Sequence, residues 1–150
     1  MPRLLCASAY SGQASSAAAA DRLSILIADD NEDAADLLGT LLQLDGHATY
    51  VVHDGVDAVK SIAAILPDLA LVDIGMPGLN GYEVAQRIRN MPGTRHVMLA
   101  ALTGWGGEAD RQRARDAGFD SHLTKPVVLE EIQRLINRCI SDSSAVPGRT

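Results

Sequence analysis

Four short strand-like segments of this chain each stop at a polar residue, and that repetition leaves few folds open. Leu69-Ala70-Leu71-Val72 runs into Asp73 and then Ile74-Gly75-Met76-Pro77-Gly78. Leu23–Ala28 runs into Asp29-Asp30, Val97–Leu102 into Thr103, and Phe119–Thr124 into Lys125-Pro126. Near-continuous apolar strands are buried on both faces, which is the condition of parallel sheets covered by helices. A carboxylate at the carboxyl end of such a strand, before a Pro/Gly loop, lies where open α/β sheets put their chemistry. With the strands as parallel neighbours, three carboxylates, a hydroxyl and an ammonium converge on one sheet edge, suited to a divalent metal and a phosphoryl group.

Between these segments the apolar spacing changes to that of helices, and alternation of the two signals an α/β sheet. A first helix starts near Asn31, which is able to cap it, and places Leu37, Leu41 and Leu44 on one face before Gly46. A second strand, His47 to His53, leads to a helix with Val59, Ile62, Ala63 and Leu66 inward, stopped by Pro67. A third helix carries Val84, Ile88 and Met91, and the last buries Ile132, Leu135, Ile136 and Cys139. The helix from Glu108 to Ala117 offers only alanines to a core, the mark of a weakly packed element able to shift. Five strands and five helices with right-handed crossovers make one doubly wound domain over residues 22–140. Two strand orders are common for such sheets, and the pattern does not choose between them. Residues 1–21, Ala/Ser-rich, and 141–150 read as a disordered extension and a flexible tail.

Composition narrows the function classes. The chain has 150 residues, of which 47% are hydrophobic and 21% charged, as expected of one soluble domain. A net charge of −6 argues against direct nucleic-acid binding. No apolar stretch nears the roughly 20 residues of a membrane span, and Met1–Ala7 is a poor secretory signal, so a cytoplasmic protein is expected. Of two cysteines, Cys6 lies in the Ala/Ser-rich head and Cys139 on a core stripe, which is no disulfide framework.

Three carboxylates brought within several ångströms repel one another. At 5 Å and an effective dielectric of 20, each pair costs about 3 kcal/mol. Raised pKa values or a hard cation with oxygen ligands would offset that, and Mg²⁺ suits one or two carboxylates plus phosphate oxygens. Metal binding alone would not need Thr103 and Lys125. A hydroxyl and an ammonium suit a multi-oxygen anion in transfer, with a carboxylate as its acceptor.

The set Asp29-Asp30, Asp73 with Met76-Pro77-Gly78-Leu79-Asn80-Gly81, Ala101-Leu102-Thr103-Gly104, Ala117-Gly118-Phe119-Asp120 and Lys125-Pro126 resembles the receiver domain of two-component response regulators. It is most similar to stand-alone receivers and those at the C-termini of hybrid histidine kinases. The resemblance implies a flavodoxin-like fold with strand order 2-1-3-4-5, which is also a worked example of the general rule for such sheets. It implies Asp73 as phosphoacceptor. Asp30, Asp73 and the backbone carbonyl of Gly75 would ligate Mg²⁺, with Asp29 acting through water. Thr103 and Lys125 would hold the phosphoryl group, and the Lys125-Pro126 bond would be cis. His122 stands where receivers usually have an aromatic switch residue, and could lend the switch pH sensitivity. Gly75 and Trp105 stand where the family borders the path of hydrolytic water.

The expected function is phosphorelay signal transduction. A histidine kinase or histidine phosphotransfer protein donates to Asp73, and the face built from the fourth helix, fifth strand and fifth helix switches toward an unidentified downstream protein or a second copy. At most slow autodephosphorylation is expected, not enzymatic turnover. An aspartyl-phosphate phosphohydrolase would need a second Asp two residues after the nucleophile, where this chain has Gly75. A flavin or nucleotide binder would offer glycines or hydroxyls in its first loop, not Asp29-Asp30-Asn31. A non-phosphorylated receiver scaffold would lack an Asp or the Lys, and none is lacking.

Overall fold

The computed structural model describes residues 22–104 and 107–145. The Ala/Ser-rich head, Trp105 and the last five residues lie outside the described residues, as do the side chains beyond Ser141. Strands and helices alternate: β1 (Ser24–Ala28), α1 (Glu32–Leu44), β2 (Ala48–Val52), α2 (Gly55–Ile65), β3 (Leu69–Asp73), α3 (Gly81–Asn90), β4 (Met98–Thr103), α4 (Glu108–Ala117), β5 (Ser121–Thr124) and α5 (Leu129–Ala145). The strands form one parallel sheet of order β2-β1-β3-β4-β5.

Because side chains of a strand alternate between faces, one strand feeds two cores. Leu26, Ala28, Ala70, Val72, Leu99 and Ala101 face one layer with Ala58, Ile62, Val84, Ala85, Ile88, Ala114 and Ala117 of α2, α3 and α4. Ile25, Ile27, Leu69, Leu71, Ala100 and Leu102 face the other with Ala35, Leu42, Ile132, Leu135, Ile136 and Cys139 of α1 and α5. All five residues of β3 are buried, whereas β2 and β5 are the half-exposed edges.

Side-chain caps set the helix starts. The Asn31 side chain accepts from the Ala34 N–H at 3.1 Å and that of Asp54 from the Asp57 N–H at 2.8 Å. Asn80 and Glu83 satisfy each other's backbone N–H groups in a capping box.

Packing decides which face of α1 turns inward, and α2 departs from expectation at one position. In α1, Leu37, Leu41 and Leu44 point outward, at 61%, 36% and 78% exposure, while Ala35, Gly39 and Leu42 pack on the sheet. Both stripes have helical spacing, and packing distance chooses between them. A Cβ at Gly39 would stand 3.1 Å from the Val51 Cγ2, so the residue without a side chain lets the helix axis close on β1 and β2. In α2, Ile62 is buried as expected, with Val59 and Ala63 half-buried, but Ala58 takes the inner position expected of Leu66. Leu66 is the left-handed C-cap (φ 53°, ψ 60°), which turns its side chain to solvent before Pro67. The inward set of α5 is as the spacing predicts.

α4 offers only Ala114 and Ala117 to the core, and a stacking of the Arg113 guanidinium 4.2 Å over the Tyr82 ring adds to its hold on α3.

Candidate functional site

The sequence pattern placed Asp29, Asp73 and Thr103 at strand ends, and the sheet brings those ends together. β1 lies between β2 and β3, so the β1–α1 turn carrying Asp29 and Asp30 stands beside the end of β3. Asp73 pairs in register with Leu102, which puts Thr103 one residue past it on the neighbouring strand. Thr103 pairs with Thr124, after which comes Lys125. The Lys125 N–H donates to the Thr103 carbonyl at 2.8 Å and fixes the start of the β5–α5 turn, where the Lys125–Pro126 peptide is cis.

One oxygen each from Asp29, Asp30 and Asp73 lie within 4.8 Å of one another, Asp29 and Asp73 buried and Asp30 exposed. The Lys125 Nζ stands 3.2 Å from the Asp73 Oδ1 and 3.3 Å from the Asp29 Oδ2. The Gly75 N–H donates to the Asp73 Oδ1 at 3.2 Å, and the Asn31 N–H to the Asp29 Oδ1 at 3.0 Å. Among the described residues, both contacts to the Asp73 carboxylate reach its Oδ1. On the far side of Asp29, the His53 Nδ1 is 3.0 Å from its carbonyl and steadies the turn.

The electrostatics follow from this crowding. Burial raises the pKa of Asp73 above the usual carboxylate value and Asp29 adds to the rise, against the lowering pull of the Gly75 N–H and Lys125. Burial works against the charge of Lys125, but Asp73 and Asp29 together outweigh it and its pKa is raised. Three carboxylates face one ammonium, so the cluster carries an uncompensated double negative charge. An all-oxygen donor set with that deficit fits a hard dication.

Backbone proximity shapes the loop after Asp73. Gly81 opens α3 with its Cα against this loop, where a Cβ would be 2.7 Å from the Asp73 carbonyl oxygen and 2.8 Å from the Ile74 Cα. At Gly75, by contrast, a Cβ would meet nothing within 4 Å.

His122 does not join the cluster. It faces the groove between α4 and α5 beside Arg111 and Glu131, away from Asp73. Burial lowers its pKa, and Arg111 and Arg115 lower it further against Glu108 and Glu131, so the imidazole is mainly neutral at pH 7. Sequence reasoning missed another feature. Leu37, Leu38 and Leu41 of α1 and Pro126 and Val127 of the β5–α5 turn border an apolar cleft of about 320 Å³ that reaches Asp29 and Lys125. The sequence shows the leucine stripe on one face of α1, but not that it borders this cleft.

The chain belongs to the response regulator receiver domain family, whose model matches residues 25–137. It is 35% identical over 117 residues to an uncharacterised 14.6 kDa protein of Leptolyngbya boryana, covering 78% of this chain and 89% of that one. The chain spans only 23% and 47% of the response regulators PleD of Caulobacter vibrioides and MprA of Mycobacterium avium, and 54% of the transcriptional regulatory protein TctD of Salmonella typhimurium. Among solved structures, the receiver domain of a sensor histidine kinase of Pseudomonas aeruginosa, with magnesium coordinated in its active-site cleft, superposes with a TM-score of 0.73. The identity is 32%, over 79% of this chain and 98% of that one. The receiver domain of Saccharomyces cerevisiae Ssk1, crystallised with the histidine phosphotransfer protein Ypd1, gives a TM-score of 0.73 at 26% identity, over 77% and 86% of the two chains. Domains of this family are phosphoacceptor modules of two-component signalling. No helix among the described residues is long and apolar enough to cross a membrane.

Proposed function

We propose that Asp73 of this chain takes a phosphoryl group from a phosphohistidine of a histidine kinase or histidine phosphotransfer protein. The single observation that carries the reading is the Lys125 ammonium 3.2 Å from the Asp73 carboxylate, beside the Asp29–Asp30 pair.

The Asp73 Oδ2 attacks phosphorus in line as the phosphorus–nitrogen bond of the donor breaks. The bonding pair stays on the imidazole nitrogen, which takes up a proton from solvent, and Asp73 becomes a mixed anhydride. Lys125 and the Thr103 hydroxyl bind phosphoryl oxygens, while the Gly75 N–H holds the Asp73 Oδ1 and so aims the other oxygen outward. Asp30, Asp73 and the Gly75 carbonyl would hold Mg²⁺, with Asp29 through water, and the ion when bound neutralises charge on the transferring group. The burial that raises the pKa of Asp73 makes each ionic contact count for more.

Access for the donor is supported by the cleft next to Asp29 and Lys125. A donor histidine has to come within bonding distance of Asp73, so its protein must cover the surrounding surface. There α1 offers Leu37 and Leu41 with Glu32, Asp33 and Asp36 nearby, a surface for an apolar helix flanked by basic residues.

The test is phosphorylation by acetyl phosphate with Mg²⁺, read by intact mass. A gain of one phosphoryl group is expected, lost in Asp73→Asn. An unchanged mass for the parent chain, or equal labelling of the variant, would sink the reading. Steady turnover of a small phosphate ester would instead favour a phosphohydrolase.

A further inference from the structure

Four of the strands deliver a polar side chain to the acid site, and β2 does not. It closes at Val52 and gives way to His53-Asp54-Gly55, a turn outside the acid cluster. This β2–α2 turn instead touches both loops that carry the cluster. Ala28 pairs with Val52 at the end of the ladder, and the Asp29 N–H donates to the Val52 carbonyl at 3.1 Å. The His53 Nδ1, 3.0 Å from the Asp29 carbonyl oxygen, adds one contact beyond it. A carbonyl oxygen only accepts, so this nitrogen carries the ring proton. That carbonyl belongs to the planar peptide joining Asp29 to Asp30, so holding its oxygen restrains the direction in which the Asp30 side chain departs.

Two residues on, Gly55 opens α2 against the β3–α3 loop. A Cβ there would overlap the Leu79 carbonyl oxygen and stand 2.7 Å from its carbon, so only a hydrogen lets the loop lie so near. Around Gly75 itself a Cβ would meet nothing within 4 Å. The place of the Gly75 carbonyl is therefore set by where the ends of its loop are held, at Gly55 and at Gly81.

We infer that the β2–α2 turn sets the spacing between the Asp29–Asp30 pair and the Gly75 carbonyl, with His53 and Gly55 as positioning residues of the divalent-cation site. Neither residue touches the ion. Mg²⁺ demands near-ideal octahedral geometry, so displacing one donor loop relative to the other costs affinity. The inference rests on the Mg²⁺ site of the proposed function, but it concerns seating of the ion and not transfer of the phosphoryl group. A purely structural part for His53, as an end contact of the β1–β2 ladder, would lower stability and leave the affinity for the ion unchanged.

Mg²⁺ alone is the probe, titrated into the full chain and followed by calorimetry and by amide shifts in ¹H–¹⁵N spectra. His53→Leu keeps the bulk and loses the donor, and should raise the dissociation constant about tenfold, as loss of an orienting partner does at metal sites. His53→Asn, whose amide nitrogen sits on Cγ as Nδ1 does, should bind nearly as the parent does. The Mg²⁺ needed for acetyl phosphate labelling should rise in His53→Leu by the same factor, while the rate at saturating Mg²⁺ stays near that of the parent. Ring ¹⁵N spectra of the neutral imidazole should show the proton on Nδ1. Gly55→Ala should shift the amides from Ile74 to Asn80 and weaken Mg²⁺ binding. Thermal unfolding would verify that each variant folds, and the His53 series alone decides where Gly55→Ala does not. Parent-like affinity in His53→Leu, equal losses in the Leu and Asn variants, or a neutral ring protonated on Nε2 would overturn the inference. So would a parent chain that binds no Mg²⁺. A parent chain that binds Mg²⁺ but takes no phosphoryl group would sink the proposed function and leave this inference standing.

Discussion

Asp73 and His122 show how much of a residue's chemistry is set by neighbours it does not touch in sequence. Asp73 is an ordinary carboxylate until burial and Asp29 raise its pKa and Lys125 arrives from 52 residues away to hold it (125 − 73). His122, at the position where an aromatic switch residue is usual, is instead perturbed by burial and by arginines of α4. Its folded pKa lies below 6.5, so between those values the unfolded chain binds more protons than the folded one. That part of the stability is present above 6.5 and lost as pH falls through the window. Urea unfolding between about pH 7.5 and 5.5 should therefore show stability falling on acidification, and His122→Asn should flatten the decline. An identical slope in the variant would show that other groups dominate.

At the scale of elements, the loop after β3 and the outer face of α1 carry opposite expectations. Gly81 has no room for a methyl group, since a Cβ would press on backbone atoms of Asp73 and Ile74 that do not move independently of the site. Gly81→Ala should cost about 1–3 kcal/mol by thermal or denaturant unfolding. On α1, Leu37 is 61% exposed and contributes little to the core. Leu37→Glu should leave the unfolding midpoint nearly unchanged, yet slow phosphotransfer from a protein donor by about tenfold or more while acetyl phosphate labelling stays constant. Equal slowing with both donors would mean that the leucine acts through the site and not through docking.

Across the whole molecule, the design concentrates like charge at one end of the sheet. The acid cluster costs stability until a cation offsets it, so Mg²⁺ should raise the melting temperature of the parent chain. A ligand at a hundred times its dissociation constant adds about 2.7 kcal/mol to the folded state. The rise should shrink in Asp30→Asn, whose side chain is exposed. An equal rise in parent and variant would place the ion elsewhere.

How much of this was legible beforehand differs by feature. The β3 run, the Asn31 and Pro67 boundaries and the α5 stripe are local signals, each contained within a few residues, and they coincide with the observed elements. The inner face of α1 was not decided by the sequence because two stripes share one period, and only contact with Val51 and Ile27 makes Gly39 the inner residue. The apolar cleft was legible only as a leucine stripe, because its other wall, Pro126 and Val127, comes from the far end of the chain.

The chain by itself determined where strands and helices start and stop, and which polar residues close each strand, because hydrophobic period and capping act over one or two turns. Strand order, the 3.2 Å approach of Lys125 to Asp73 and the solvent face of α1 were decided only on folding. Those depend on packing and on Coulomb forces between groups that share no local sequence. Until the sheet forms, the acids and the amine are merely solvated charges.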